Sequence, residues 1–478
     1  MAGKFETPRN GAGAGQPPKR RRRKRRRRVQ PLVLLIPAAV LLLIVALVLT
    51  MCGKKDDGKA ASGKAETTVA TEQTEPGLSV TARATVASMG DMLMHKYLFT
   101  ADPKYPSACN LGDGKYDFDS IFRYVKDTIS GADYAVANLE TTFGGDGYPY
   151  QGNPNFNCPD ALADALANAG FDMLLTANNH CADTTVEGLK RTLEQVRSRG
   201  LATLGTQLNN DEKKYAVVDV NGIKIGMLCY TYAAGLESDG APNLNFKEQT
   251  IVRETGVVNY FTVNQLEKFY SEVQTHLANM RADGAEAIML YIHWGTEYLL
   301  TEDANQRAIA QKMCDLGVDV IVGGHPHVVE PMDLLTSTTD PEHRTVCIYS
   351  LGNAVSNQRR EEMASRPEGH TEDGALFTVT FEKYSDGTVR VAEANVTPTW
   401  VNKFVNGDGK VEYNILPLDK DSQDQWRSRF SLNDTQYNSL LESYSRTMNI
   451  VGSGLTKCQT YLDQTGLSQT GETLPAAA

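Results

Sequence analysis

Six times along this chain a hydrophobic, strand-like run ends directly in a short polar cluster. The clusters are Gly90-Asp91-Met92-Leu93-Met94-His95, Asn138-Leu139-Glu140, Ala177-Asn178-Asn179-His180, His293-Trp294-Gly295, Gly323-Gly324-His325-Pro326-His327 and Ser350-Leu351-Gly352-Asn353. Five of the eight histidines fall inside them, which random scatter would not produce. Helix-like segments lie between the runs, at 119–130, 160–169, 184–199, 262–281 and 305–316. Alternating β and α predicts an α/β fold, a sheet with helices on its faces. Turn signals at Asn221-Gly222 and Ser385-Asp386-Gly387 add hairpins, so the sheet is mixed. In such folds the chemistry gathers at the carboxyl ends of strands, which is where the clusters stand. Asp160 reads as a helix N-cap, Asp183 as one if Asn178-Asn179-His180 is only a capped loop, and Thr262 with Gln265 as a capping box.

Carboxylate, amide and imidazole together suit a borderline divalent ion such as Mn, Zn or Fe. Asp91, Glu140, Asn179, His293, His325 and His327 are the candidate ligands. His325 and His327, one residue apart in a tight turn, can face a common point. The glycines before them let backbone approach closely. Asp91 or Glu140 could bridge two ions, as two-metal hydrolytic sites require. Taken singly, Gly90-Asp91 reads as a turn, Asn178-Asn179-His180 as a capped loop and His293-Trp294 as a satisfied half-buried histidine, while Asn138-Leu139-Glu140 says almost nothing; Gly-His-Pro-His is the most specific. In order, at strand ends, they read as one site.

The net charge of −10 hides an N-terminal +11 over residues 1–30 and a remainder of −21. An acidic body does not suit non-specific nucleic-acid binding. Residues 19–28 are ten consecutive Lys or Arg, and residues 31–50 carry no charge. Twenty apolar residues rise about 30 Å as a helix, enough to span a bilayer. Basic residues stay cytoplasmic, so the orientation is N-in, C-out. The uncharged run exceeds a signal-peptide core, and no A-x-A site follows within the next twenty residues. The expected organisation is a basic cytoplasmic segment (1–30), a membrane helix (31–51), a flexible stalk (52–82), a folded domain (83–405) and a partly helical extension (406–478). The main domain would then stand outside the cytoplasm on a single-pass cell-membrane anchor.

Eight cysteines in 478 residues, with no CxxC, are not a disulfide scaffold. Cys229, Cys314 and Cys347 sit in apolar runs and read as buried thiols. Cys109 and Cys158 lie in polar loops and could pair in an oxidising compartment.

The ordered motifs GDMLMH, NLETT, ANNHCAD, YIHWGTEY, VDVIVGGHPHVVEP and YSLGNAVSNQ resemble the capsule-synthesis CapA family, also described as poly-γ-glutamate synthesis or capsule export. The resemblance covers about residues 84–400. It implies a calcineurin-like metallophosphatase fold, a four-layer αββα sandwich with mixed sheets. It implies that Asp91 stands at the first metal position and Glu140 at the bridging one. Asn179 is then a ligand and His180 a proton donor or oxyanion stabiliser, while His293, His325 and His327 complete the set. His95, Asn178, Asp183, Glu297 and Asn353 are outer candidates. The chain departs from the family pattern at Glu140, where Asp is usual, and at Ala354 and Ser356-Asn357-Gln358.

Three functions follow as expectations. One is a capsule or poly-γ-glutamate synthesis or export protein, with that or another envelope polymer and membrane synthase subunits as partners. The second is a metal-dependent hydrolase of phosphoester or amide bonds in envelope polymer or nucleotides. The third is a non-catalytic polymer-binding module.

Overall fold

The computed structural model describes residues 78–465, which belong to one compact unit. The basic segment, the 31–51 span and all of the stalk before residue 78 lie outside the described residues. Among the described residues no helix is long and apolar enough to cross a membrane.

Two mixed sheets carry the fold. In the first, the strands run in the order Val411–Pro417, Val389–Val405, Asp373–Tyr384, Val80–Met92, Tyr134–Asn138, Met173–Leu175 and Ala202–Leu204, with Asn353–Val355 also on Val80–Met92. In the second the order is Tyr260–Phe261, Ile223–Tyr232, Ala287–His293, Val320–Gly324, Arg344–Ile348 and Met332–Thr336, with Tyr215–Val220 also on Ile223–Tyr232. Both predicted hairpins form. Asn221 and Gly222 both take positive φ, as a two-residue turn between right-twisted strands demands.

Side-chain alternation sets the layers. Ala84 and Val86 on the first strand meet Met227, Met289 and Tyr291 of the second sheet in a shared apolar core. The opposite parity, Ala87 and Met89, packs under Phe118, Phe122, Leu162 and Leu166 from the helical segments outside the first sheet. Ile288, Leu290 and Ile292 do the same under Phe269, Val273, Leu277 and Ile309 outside the second. Helix, sheet, sheet, helix is the layering that the resemblance implies.

Several local expectations need correction. The first strand begins at Val80, inside the expected stalk. The 119–130 helix is two short turns, Asp119–Phe122 and Lys126–Ser130. The helix expected at 262–281 runs Leu266–Ala282 without a capping box, because Gln265 N–H donates to the Thr262 carbonyl in a turn that delays the helix start. A real box closes Ala304–Asp315 through Asp303 and Gln306. Asp160 makes no cap bond; Arg191 holds its carboxylate with two bonds of 2.8 and 2.7 Å.

The extension expected from residue 406 does not stand apart. Val411–Pro417 is the edge strand of the first sheet, paired with residues 399–405. Asp434–Thr465 is one long helix. Its Val451, Leu455, Cys458 and Leu462 follow helical spacing and enter the core between the sheets. Each buried aliphatic side chain there contributes about 1.5–3 kcal/mol. Gly454 lets the helix press on the second sheet: a Cβ there would meet the Met332 carbonyl oxygen at 1.6 Å.

Candidate metal centre

The parallel strands of both sheets end at one seam. His293 keeps the parity of Met289 and Tyr291, so simple alternation aims it at the first sheet. Asp91 needs more. It shares the parity of Ala87 and Met89, which face the outer helices. A bulge corrects this: Met89 pairs with Ala137 and Asp91 with Asn138, two residues against one. Such a bulge re-aims a side chain, and here Asp91 comes to face the seam.

Backbone crowding supports the same point. A Cβ on Gly323 would sit 1.8 Å from the Tyr349 carbonyl oxygen, and one on Gly324 would sit 2.9 Å from Asp91 Oδ1. His325 and His327 take φ of 98° and 56°. Left-handed backbone at non-glycine residues costs on the order of 1–3 kcal/mol each and persists only where the surroundings impose it. Pro326 lies between them, so the Gly-His-Pro-His turn spends backbone strain to place two imidazoles.

Asn138 organises the acidic side. Its Nδ2 donates to Asp91 Oδ1 at 2.7 Å and lies 3.5 Å from both Glu140 Oε2 and His293 Nδ1. Asn178 Nδ2 in turn donates to Asn138 Oδ1 and to the Leu139 carbonyl. On the imidazole side, His293 Nε2 is 2.9 Å from Asn179 Oδ1 and 3.4 Å from Glu140 Oε1. His327 Nδ1 is 3.2 Å from Asp91 Oδ2 and 3.1 Å from Asn353 Oδ1. Asn353 Nδ2 donates to the carbonyls of His327 and Thr371 and to Gln358 Oε1, which fixes it.

Among the described residues, potential ligand atoms lie within 4.8 Å of one another in three overlapping groups: Glu140, His293 and His325; Asp91, Glu140 and His327; Glu297, His325 and His327. All but Glu297 are buried. Glu140 Oε1 and His325 Nδ1 are buried without a hydrogen-bond partner. A buried carboxylate oxygen and a buried imidazole nitrogen left unpartnered cost free energy. Both are atoms that a divalent ion would satisfy, so the residues fit such an ion.

The charges agree. Burial pushes the Asp91 carboxyl up, but His327 and His293 outweigh it and hold it below its usual value. Burial pushes His327 down, and Glu140 and Asp91 reverse this and raise it to about 9. Burial, with His293 and His327 beside it, holds His325 well below the usual imidazole range. His325 is therefore neutral and ready to ligate, whereas His327 carries a proton that an ion would displace.

His180 stands beside this cluster. Its Nδ1 meets Asp183 Oδ2 at 2.7 Å, and its ring packs edge-on to Phe156 at 4.6 Å. Of the two readings of Asp183, outer site residue or N-cap, the cap does not form: its carboxylate meets His180 and the Phe156 N–H, and Thr184 precedes the helix Thr185–Arg197. His95 packs on the other side of Phe156 and has Asn357 N–H at 3.3 Å from its Nδ1. Burial pulls it down to about 4, and it joins none of the ligand groups. Cys109 and Cys158 are buried free thiols, as are Cys229, Cys314 and Cys347.

Residues 85–358 match the family model described as bacterial capsule synthesis protein PGA_cap. The chain belongs to that family. The PGA_cap stretch contains the whole seam, from Asp91 to Asn353. The chain is 27% identical over 380 residues to the PGA biosynthesis protein CapA of Bacillus subtilis (strain 168), covering 77% of this chain and 84% of that protein. It is 28% identical over 255 residues to the capsule biosynthesis protein CapA of Bacillus anthracis, covering 51% of this chain and 55% of that one.

Sequence reasoning missed the residues that hold the PGA_cap site together. Asn138 was visible only as the first letter of a weak motif. Tyr232 stacks parallel to His293 and sits 4.7 Å from the His325 ring, with no signal beyond its place at a strand end. Asn245, 3.4 Å from His180, comes from a loop with no motif at all.

Proposed function

We propose that this chain is a membrane-anchored, extracytoplasmic protein of capsule or poly-γ-glutamate synthesis or export, with a divalent-metal centre at the seam. One observation carries the reading. Five side chains from strand ends of two different sheets converge with two unpartnered ligand atoms, inside the stretch that matches PGA_cap. The names of the two Bacillus relatives supply the pathway. The uncharged 31–50 run after ten basic residues supplies the anchor and its orientation.

Asp91, Glu140, Asn179, His293, His325 and His327 would hold the metal, Mn, Zn or Fe. Bound there, it would supply Lewis-acid polarisation and a lowered pKa for water. The chain's own residues do the rest. Asn138 fixes both carboxylates, Asn353 orients His327, and Asp183 fixes the His180 ring.

Deleting the gene in its host should lower surface polymer, and a copy carrying His325→Ala should fail to restore it. Unchanged polymer in the deletion strain would overturn the reading.

A second reading, hydrolysis of a phosphoester or amide bond, has its own support in the His180–Asp183 pair. A histidine oriented by a carboxylate is built to hand a proton to a leaving group. Turnover on a panel of envelope polymers and nucleotides that falls at least a hundredfold in His180→Ala, with metal content unchanged, is its expected result. No turnover on any panel member would favour a polymer-binding role.

A further inference from the structure

Two loops form one rim beside the metal seam, residues 151–157 (QGNPNFN) and 243–250 (NLNFKEQT). Lys247 Nζ donates to the Pro154 carbonyl, and Gln249 Nε2 donates to Asn155 Oδ1 at 2.8 Å, so the loops are tied to each other. Both reach the centre. The Phe156 ring is wedged between the rings of His95 and His180, at 5.2 and 4.6 Å. The Asn245 side chain stands 3.4 Å from His180 Nδ1.

Phe246 breaks two rules at once on this rim. It is 78% exposed, more than any other large hydrophobic residue among those described. Its φ is 53°, a left-handed backbone that a phenylalanine rarely adopts. Such a backbone persists only where its surroundings impose it. Here Asn245 N–H donates to Thr250 Oγ1 and Lys247 N–H to Asn243 Oδ1, which pins the residue on either side. A glycine would meet the same turn without strain and without a wetted ring. The ring instead stands over Gly235, where a Cβ would lie 3.7 Å from Phe246 Cε1. Gly235 is three residues past Tyr232, which stacks parallel to His293. The ring therefore overhangs the ground between the His180 side and the imidazole side of the seam.

Around that ring the rim offers amides rather than charges. Gln151, Asn153, Asn155, Asn245 and Gln249 are all partly or fully exposed. Lys247 is the one Lys or Arg in the two loops, and its ammonium is spent on Pro154. An amide both donates and accepts, as a hydroxyl does. The negative face of an aromatic ring attracts polarised C–H groups. A sugar ring presents that pair of surfaces, C–H groups on its face and hydroxyls round its edge. A polyanion is the poorer match: these loops hold no free cation for it, and the body of the chain is strongly acidic and repels it.

We propose that Phe246 is the stacking platform of a saccharide subsite, on which one neutral sugar of the polymer lies while the rim amides bind its hydroxyls. The proposal rests on the functional reading above and names the polymer class of that site, a polysaccharide rather than a polyglutamate.

The test is calorimetric titration of the purified full-length chain in a detergent without a sugar headgroup. The probes are neutral tetrasaccharides of glucose, galactose, N-acetylglucosamine and N-acetylgalactosamine, a γ-linked glutamate tetramer, and uridine. At least one tetrasaccharide should bind wild type and bind Phe246→Ala at least tenfold more weakly. Phe246→Trp should keep or tighten that binding, and Asn153→Ala should weaken it several-fold. Phe246→Gly separates a platform from a structural role. Glycine suits the left-handed backbone, so this variant should match or exceed wild type in a denaturant titration, hold the same metal and still lose the sugar. Phe246→Gly that is destabilised yet binds sugar like wild type overturns the platform. Tetrasaccharides that bind wild type and Phe246→Ala equally overturn it too. Binding of the glutamate tetramer or of uridine with no tetrasaccharide bound overturns the saccharide assignment, as does the absence of any tetrasaccharide binding. Each of these failures leaves the functional reading standing, because that reading is judged by surface polymer in the deletion strain.

Discussion

The two sheets bring different chemistry to the seam and secure it differently. The first sheet supplies acids and amides, Asp91, Glu140, Asn138 and Asn179, held by a hydrogen-bonded network centred on Asn138. The second supplies imidazoles, His293, His325 and His327, two of them on left-handed backbone. Neither half is a site. The acids alone would repel one another in a buried setting, and the imidazoles alone would be costly to charge. Sheet-on-sheet packing is therefore itself the step that assembles the ligands. Anything that shifts one sheet against the other should loosen the metal before it unfolds the chain.

The largest effect should come from removing one ligand on either side. Glu140→Ala and His325→Ala should each weaken divalent-ion binding by at least a hundredfold, measured by competition with a chelating dye. If only the imidazole half mattered, Glu140→Ala would bind like wild type.

Asn138→Ala attacks the acidic half without touching a ligand. It leaves Asp91 and Asn178 with buried unpaired atoms, which should cost about 1–3 kcal/mol in a denaturant titration. Metal affinity should also fall about 10- to 100-fold, the range for groups that orient ligands.

The proton on His327 gives opposite pH trends for the apo and the loaded chain. Its folded pKa, about 9, is raised from the ordinary 6.5. That contribution to apo stability is full below about pH 6.5 and is lost as pH rises through 9. An ion must displace the same proton, so metal affinity should rise over that window. Apo denaturation midpoints and metal titrations between pH 6 and 9 check both signs. Parallel trends would mean that His327 is not a ligand.

The smallest effect on the seam should come from the C-terminal helix. Leu455→Ala should cost about 2–3 kcal/mol of stability through a cavity in the inter-sheet core, with metal stoichiometry unchanged. A loss of metal in the folded variant would show that the helix holds the sheets in register.

Much of this was legible in the sequence, and for physical reasons. Period-two alternation along Ala287–His293 is enough to bring His293 to the inner face. The Gly-Gly before His325 announced the close approach that the structure shows with Asp91. Asp91 itself was found by its motif, but its aim depends on a bulge that no local pattern records. Asn138 closes its strand inside a three-residue motif that carries almost no signal by itself; its role exists only once Asp91, Glu140, His293 and Asn178 surround it. The long Asp434–Thr465 helix was obscured because its buried face is narrow, with Ser443, Thr447 and Gly454 among the residues turned inward. Asp183 offered two readings in the sequence, a helix cap or an outer residue of the site, and spacing alone could not separate them; in the structure its carboxylate meets His180 and the Phe156 N–H.

The most direct measurement is elemental analysis of the purified full-length chain after exposure to Mn, Zn and Fe and removal of free ion. At least one divalent ion should be retained per wild-type chain and none in His325→Ala. Wild-type chain that holds no ion under any of these conditions, or His325→Ala chain that holds as much as wild type, would contradict it.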